Sequence, residues 1–139
     1  MRLHNINTSG KIRECDSHGC GHYGASRGSR MHKGIDFITY DRQPILAPFD
    51  CVVNRYGDPY GDGQYKLIEI LGVGAYKGYK VKIMYISPLY ELNKVIVKGE
   101  MLCVADSIAK RYPGITDHVH FEVYFNGKLL DPTKFFKEK

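Results

Sequence analysis

The chain of 139 residues has no tryptophan, and no apolar run approaches the roughly 18 residues that a membrane helix needs, so a membrane span is excluded. It has no low-complexity tract, internal repeat or Pro/Gly/Ser-rich linker, and it is too short for a multidomain machine. The expectation is a single domain over residues 1–139. Residues Met1 to Gly10 are polar and lack the apolar core of a secretory signal. Either the chain is cytosolic, or it is a mature secreted chain behind an added start methionine. Acidic residues are the scarcer sign: 15 against 20 lysines and arginines, giving a formal charge of +5. A basic surface attracts anionic polymers, such as nucleic acid, sulfated glycans or a bacterial wall. The positive residues form no dense cluster, which argues against a specific nucleic-acid partner.

What is present describes a folded β protein. Apolar residues make up 43% and charged residues 25%, a balance that fits a globular domain rather than a disordered chain. Fifteen glycines and eleven tyrosines favour turns and aromatic-rich strands. Strands are expected at Ile35–Thr39, Cys51–Val53, Tyr65–Leu71, Tyr79–Ile86 and His118–Phe125. In Tyr79–Ile86, alternation puts Val81, Ile83 and Tyr85 on one face and Lys80, Lys82 and Met84 on the other. Val95–Val97 and Met101–Val104 flank Lys98-Gly99-Glu100 and read as a hairpin. Asn126-Gly127 predicts a second, tight hairpin into Lys128–Leu130. One helical turn is expected at Ser107–Arg111, capped by Asp106 and stopped by Pro113. The predicted fold class is mostly β, an antiparallel sheet or open barrel with long loops.

Two clusters carry chemistry. Met31-His32-Lys33-Gly34-Ile35-Asp36 is an H-x-x-x-D, and His118-Val119-His120 is an H-x-H. Residues two apart on a strand point the same way, so His118 and His120 project together from one sheet face. Two imidazoles and one carboxylate form a typical hydrolytic zinc set, leaving the fourth tetrahedral position open. Taken singly, either motif fits a solvated strand face; together, early and late in a small β domain, they point to a metal.

Tyr23-Gly24-Ala25-Ser26-Arg27 leading to Met31–Asp36 resembles the opening motif of the lysostaphin/LytM-type metallopeptidases, and His118-Val119-His120-Phe121-Glu122 resembles their closing motif. Ile45–Val53 and Val97–Glu100 match the strand-and-turn pattern between them. The closer resemblance is to the leukocyte cell-derived chemotaxin family of that fold. It is carried by Ile12-Arg13-Glu14-Cys15-Asp16-Ser17-His18-Gly19-Cys20-Gly21 and Tyr112-Pro113-Gly114-Ile115, and it runs from Ile12 to Pro132. The resemblance implies a lysostaphin-type fold and Zn2+ bound by His32, Asp36 and His120. His118 would then be a catalytic, non-ligand residue beside the metal. The Asp36 charge would soften the ion's Lewis acidity relative to a three-histidine site.

Active members of that fold carry a second non-ligand histidine in a Tyr-x-His-Leu pattern. In Lys82-Ile83-Met84-Tyr85-Ile86-Ser87-Pro88, Tyr85 occupies its place. Tyrosine, with a pKa near 10, is a poor base at neutral pH but can still donate a hydrogen bond to an oxyanion. The loss of one such catalytic group costs on the order of 10²–10³ in rate. The expectation is weak or absent peptidase activity, with an active zinc endopeptidase cutting peptidoglycan cross-links as the alternative.

The four cysteines allow three pairings. The chemotaxin resemblance implies a Cys15–Cys20 disulfide. The alternative is a second metal site, since His18 and His22 interleave with these cysteines. Cys51 and Cys103 then remain, either as a bridge stapling neighbouring strands or as two buried thiols. Two bridges would imply an oxidising compartment and a secreted, extracellular protein. The sequence therefore suggests a chemotaxin-like protein that binds a cell-surface receptor or an anionic microbial glycan such as peptidoglycan.

Overall fold

Alternation of apolar and polar residues is the organising signal of the fold, and the turns between runs fix which strands meet. In the computed structural model, which describes residues 2–136, the strands run in chain order. They are β1 (Ser26–Arg27), β2 (Arg30–Met31), β3 (Ile35–Ile38), β4 (Pro44–Leu46), β5 (Cys51–Gly57) and β6 (Lys66–Gly72). There follow β7 (Tyr79–Pro88), β8 (Val95–Ile96), β9 (Met101–Ala105), β10 (His118–Phe125) and β11 (Lys128–Leu130). Two short 3-10 turns lie at Gly74–Tyr76 and Pro132–Phe135.

All but β1 and β2 join one open antiparallel sheet, with a path β11-β10-β7-β6-β5-β8. β3 pairs with β10, and β9 bridges β4 and β7. The fold is therefore mostly β, as expected. One face of the sheet carries Phe37, Ile68, Ile70, Val81, Ile83, Val119, Phe121 and Val123 into a continuous apolar core. Burying each of these side chains is worth about 1.5–3 kcal/mol. The Asn126-Gly127 turn forms as expected: both residues have positive φ, and Phe125 pairs with Lys128.

Four expectations are corrected. Val95–Val97 and Met101–Val104 do not form a hairpin. β8 pairs with β5, whereas β9 pairs with β4 and β7, so the chain turns at Glu100 and the two strands part to different partners. Residues 107–111 form turns rather than a helix. The amides of Arg111 and Tyr112 both donate to the Ile108 carbonyl, at 3.0 and 3.2 Å. So short a segment before Pro113 cannot repay helix nucleation. The carboxylate serving this turn is Asp117, which accepts from Ser107 Oγ (2.8 Å) and the Ala109 amide (2.9 Å). Asp106 instead accepts from Ser87 Oγ at 2.7 Å.

The third correction concerns Tyr85. The β6–β7 register shifts between Lys66 and Leu67, so that Leu67 faces Met84 and Lys66 faces Ile86. Tyr85 is the extra residue of this bulge, with φ +73°. Its backbone is where β7 leaves β10 and takes up β9. Ile86 inherits the core face beside Val81 and Ile83, and Tyr85 swings to the opposite side with Met84.

The fourth concerns the cysteines. Cys15 and Cys20 form a disulfide, which removes the second-metal reading of that segment. Cys51 and Cys103 are free and buried. They cannot staple neighbouring strands, because β5 and β9 are not neighbours in the sheet. Burial pushes both thiols up, Cys51 to about 12. They are therefore unreactive packing groups.

Candidate metal centre

The site lies on the sheet face opposite the core. His118, His120 and Glu122 alternate with Val119, Phe121 and Val123 along β10, so the strand period alone sends the two sets to opposite sides. In register, His120 stands between Asp36 on β3 and Met84 on β7. His32 arrives from the loop between β2 and β3. That loop presses onto β10 at Gly34, where a Cβ would lie 2.1 Å from the Phe121 carbonyl oxygen. Only glycine permits this approach, and it carries His32 to the other two residues.

His32 Nε2, Asp36 Oδ1 and His120 Nδ1 converge. The His32–His120 nitrogens are 2.9 Å apart, and each is 3.1 Å from Asp36 Oδ1. Metal bonds of about 2.0–2.1 Å in a tetrahedral shell put ligand atoms about 3.3 Å apart, so the triangle is close to the size a small cation draws together. The remaining nitrogens are already engaged. His32 Nδ1 donates to the His22 carbonyl at 2.9 Å, and His120 Nε2 donates to Glu122 Oε2 at 2.8 Å. For each neutral ring these bonds select the tautomer whose inward nitrogen offers a lone pair to an ion. The donor set fits a metal ion, and all three residues are buried.

The electrostatics follow from crowding. Burial alone would raise Asp36, but hydrogen bonds from His120 and His32 and the field of the imidazoles hold it well below the usual carboxylate range. Burial would lower His120, but Asp36 and Glu122 outweigh it and raise it to about 9. His118 is different: burial wins over the Asp36 charge and pulls it down. Its Nδ1 donates to the Thr116 carbonyl at 2.8 Å, leaving Nε2 facing the cluster, 3.4 Å from Asp36 Oδ2.

Tyr85 stands edge-on to His118, with ring centroids 5.6 Å apart. Its oxygen accepts from the Tyr60 hydroxyl at 3.2 Å, so its own proton is left to donate into the groove. Burial raises its pKa, outweighing the Tyr60 hydrogen bond, which lowers it. The groove of about 390 Å³ over the cluster is lined by Tyr60, Tyr85 and Tyr112 and by Arg27, Arg30 and Lys33.

All five residues singled out in the sequence thus meet here. Three others were not assigned roles. Glu122 lies two residues past His120, so strand alternation was signal enough. Tyr60 sits in a loop with no periodic signal. Arg13, 3% exposed, donates to Asp36 Oδ2 from Nε and Nη2; it stood within the recognised Ile12–Gly21 segment, but nothing local marks a buried guanidinium.

The chain is 38% identical to leukocyte cell-derived chemotaxin-2 from Mus musculus, over 92% of this chain and 81% of that protein. Against the Bos taurus chemotaxin-2 the identity is 36%, over 91% and 80%. The chain belongs to the leukocyte cell-derived chemotaxin-2 family. No family model matches it. Solved structures place this chemotaxin-2 relative in the lysostaphin-type peptidase fold. The catalytic domain of lysostaphin from Staphylococcus simulans superposes with a TM-score of 0.63 at 21% identity, covering 86% of this chain and 90% of that one. A zinc-containing peptidase from Vibrio cholerae gives 0.63 at 19%, covering 95% of this chain and 39% of that one. At such identities the likeness is one of fold.

Proposed function

We propose that this chemotaxin-2 relative is a secreted Zn2+-binding protein that acts by binding, with weak or no peptidase activity. His32, Asp36 and His120 would hold the ion, and in doing so would join the loop before β3 to β10. A zinc ion held there supplies Lewis acidity toward a carbonyl oxygen. Hydrolysis would also need a base and an oxyanion donor from the chain itself. His118, neutral at pH 7 with Nε2 toward the cluster, could accept a proton. Tyr85 could donate one hydrogen bond but cannot act as a second base. The observation that carries the reading is Tyr85 itself: a tyrosine, hydrogen-bonded to Tyr60, where active peptidases of this fold carry histidine.

The cationic groove residues Arg27, Arg30 and Lys33 and the overall basic charge favour an anionic ligand, either on a cell-surface receptor or in a microbial glycan such as peptidoglycan. Membership of the chemotaxin-2 family supports a role in immune signalling or microbial recognition, and the Cys15–Cys20 disulfide supports an extracellular setting. The retained His118 favours a second reading, an active zinc endopeptidase cleaving peptidoglycan cross-links. Incubation of the zinc-loaded protein with purified peptidoglycan, followed by mass analysis of the soluble fraction, separates the two. Sedimentation with the wall and no fragments is expected; new amine termini would establish the enzyme instead.

A further inference from the structure

A guanidinium beside a cation site is electrostatically unfavourable, so its burial there calls for a reason. Arg13 Nε and Nη2 donate to Asp36 Oδ2 at 3.2 and 3.0 Å. Its Nη1 donates to Asp16 Oδ2 at 2.8 Å and to the Gly19 carbonyl at 3.0 Å. Both of these last acceptors lie in the loop closed by the Cys15–Cys20 disulfide. Within it, the backbones of Asp16 and Gly19 exchange two hydrogen bonds, at 2.9 and 3.1 Å. The loop is tied down on its far side, where Asp16 Oδ2 accepts from the Thr116 amide at 3.0 Å and His18 Nε2 donates to the Pro113 carbonyl at 3.0 Å.

The same segment then runs along β3. The Gly21 carbonyl accepts from the Asp36 amide at 2.9 Å, and the His22 carbonyl accepts from His32 Nδ1. A Cβ on Gly21 would lie 2.6 Å from the Arg13 carbonyl oxygen and 3.1 Å from Asp36 Cβ, so the strap rests directly on the strand. It thereby reaches two of the three cluster residues from behind. Its effect on Asp36 is to divide the carboxylate: Oδ1 faces His32 and His120, while Oδ2 accepts both Arg13 bonds, with His118 Nε2 at 3.4 Å and Arg27 Nη2 at 3.9 Å from the same oxygen.

We propose that Arg13 is a positioning residue that confines Asp36 to ligation through one oxygen, and that the disulfide-closed loop Cys15–Cys20 holds Arg13 in that pose, so that loop closure raises the cluster's metal affinity. This rests on the metal reading above. The planar fork of arginine suits the role, because two parallel hydrogen bonds fix the carboxylate's plane as well as its place. A carboxylate fixed beforehand loses less rotational freedom when the ion binds.

The test is Zn2+ affinity by chelator competition for the oxidised full chain, Arg13→Gln, the double variant Cys15→Ser/Cys20→Ser, and the combined triple variant. Removing an outer partner of a metal ligand typically costs about 10–100-fold in affinity, and that is expected for Arg13→Gln and for the double variant. The triple variant should lose no more than the worse of the two, because the loop acts through Arg13. In Co2+-loaded protein, Arg13→Gln should weaken the intense tetrahedral absorption as the second Asp36 oxygen reaches the ion; a merely structural arginine would leave it unchanged. Asp16→Asn, which keeps Arg13 and the disulfide, should fall part-way. If the unmodified chain takes up no ion, the metal reading fails and this proposal with it. If it binds while Arg13→Gln binds equally with an unchanged spectrum, this proposal alone fails. Additive losses would overturn the route through Arg13. Should Arg13→Gln not fold, an unchanged affinity in Asp16→Asn overturns the proposal.

Discussion

Along β10, Val119, Phe121 and Val123 turn to one side and His118, His120 and Glu122 to the other, and all six are buried. Both faces are largely hidden from water, although the polar one borders the groove, and they are held by different physics. The apolar face gains from area removed from solvent, which is non-directional and tolerant of swaps that keep volume. The polar face gains only when each donor meets its acceptor, and deleting one partner leaves another charged or polar group stranded. Asp36 meets the imidazoles of His32, His118 and His120 and the guanidinium of Arg13 at once, so that face behaves as a unit. The comparison teaches that stability should reside mainly on one side of the strand and metal affinity on the other.

The sharpest break would come from His32→Ala. It should abolish tight zinc binding while leaving the core intact, and elemental analysis after dialysis reads it directly; full metal content would sink the site. Phe121→Ala tests the opposite face. It should cost about 3–5 kcal/mol in denaturant unfolding while metal per folded molecule stays unchanged. A fall in stoichiometry instead would mean that the two faces are not separable.

Tyr85→His probes the edge where the faces exchange roles. It should raise hydrolysis of glycine-rich or cell-wall peptides by on the order of 10²-fold, read by mass spectrometry of the products. Vigorous cleavage by the unmodified protein would overturn the binding reading. The smallest effect concerns the strap. Burial would raise Asp16, but the amides of Thr116 and His18 and the Arg13 side chain lower it from 3.8 to about 2. A lowered carboxylate stabilises the fold above its unfolded pKa, and that contribution is lost as pH falls from about 4 toward 2. The urea midpoint of the native chain should therefore fall more steeply over that range than that of Asp16→Asn. Parallel slopes would detach Asp16 from the network.

Much of this was legible in the chain. Period-two alternation and turn signals gave β3, β6, β7 and β10 their places and β5 its first three residues, and the His118/His120 pair needed only that period. Asn126-Gly127 announced its turn because few other pairs accept two positive φ values. The Lys98-Gly99-Glu100 turn announced a hairpin just as plainly, yet β8 and β9 found other partners, because a turn signal fixes the bend and not the sheet neighbour. Tyr85 was misplaced for a related reason. Alternation assumes an unbroken ladder, and a bulge is set by the register between two strands rather than by the residues of one. Cys51 and Cys103 remained ambiguous because pairing depends on distance across the sheet.

The sequence alone determined which residue types could bind a metal and which strand faces were apolar, because both follow from local chemistry and a period of two. Tertiary structure decided how His32 reaches His120 across 88 residues of chain, that a bulge turns Tyr85 off the face its alternation predicts, and that Arg13 is buried against Asp36. Those outcomes depend on strand register, a bulge and a disulfide-closed loop, and each is a relation between distant segments that no local window of sequence contains.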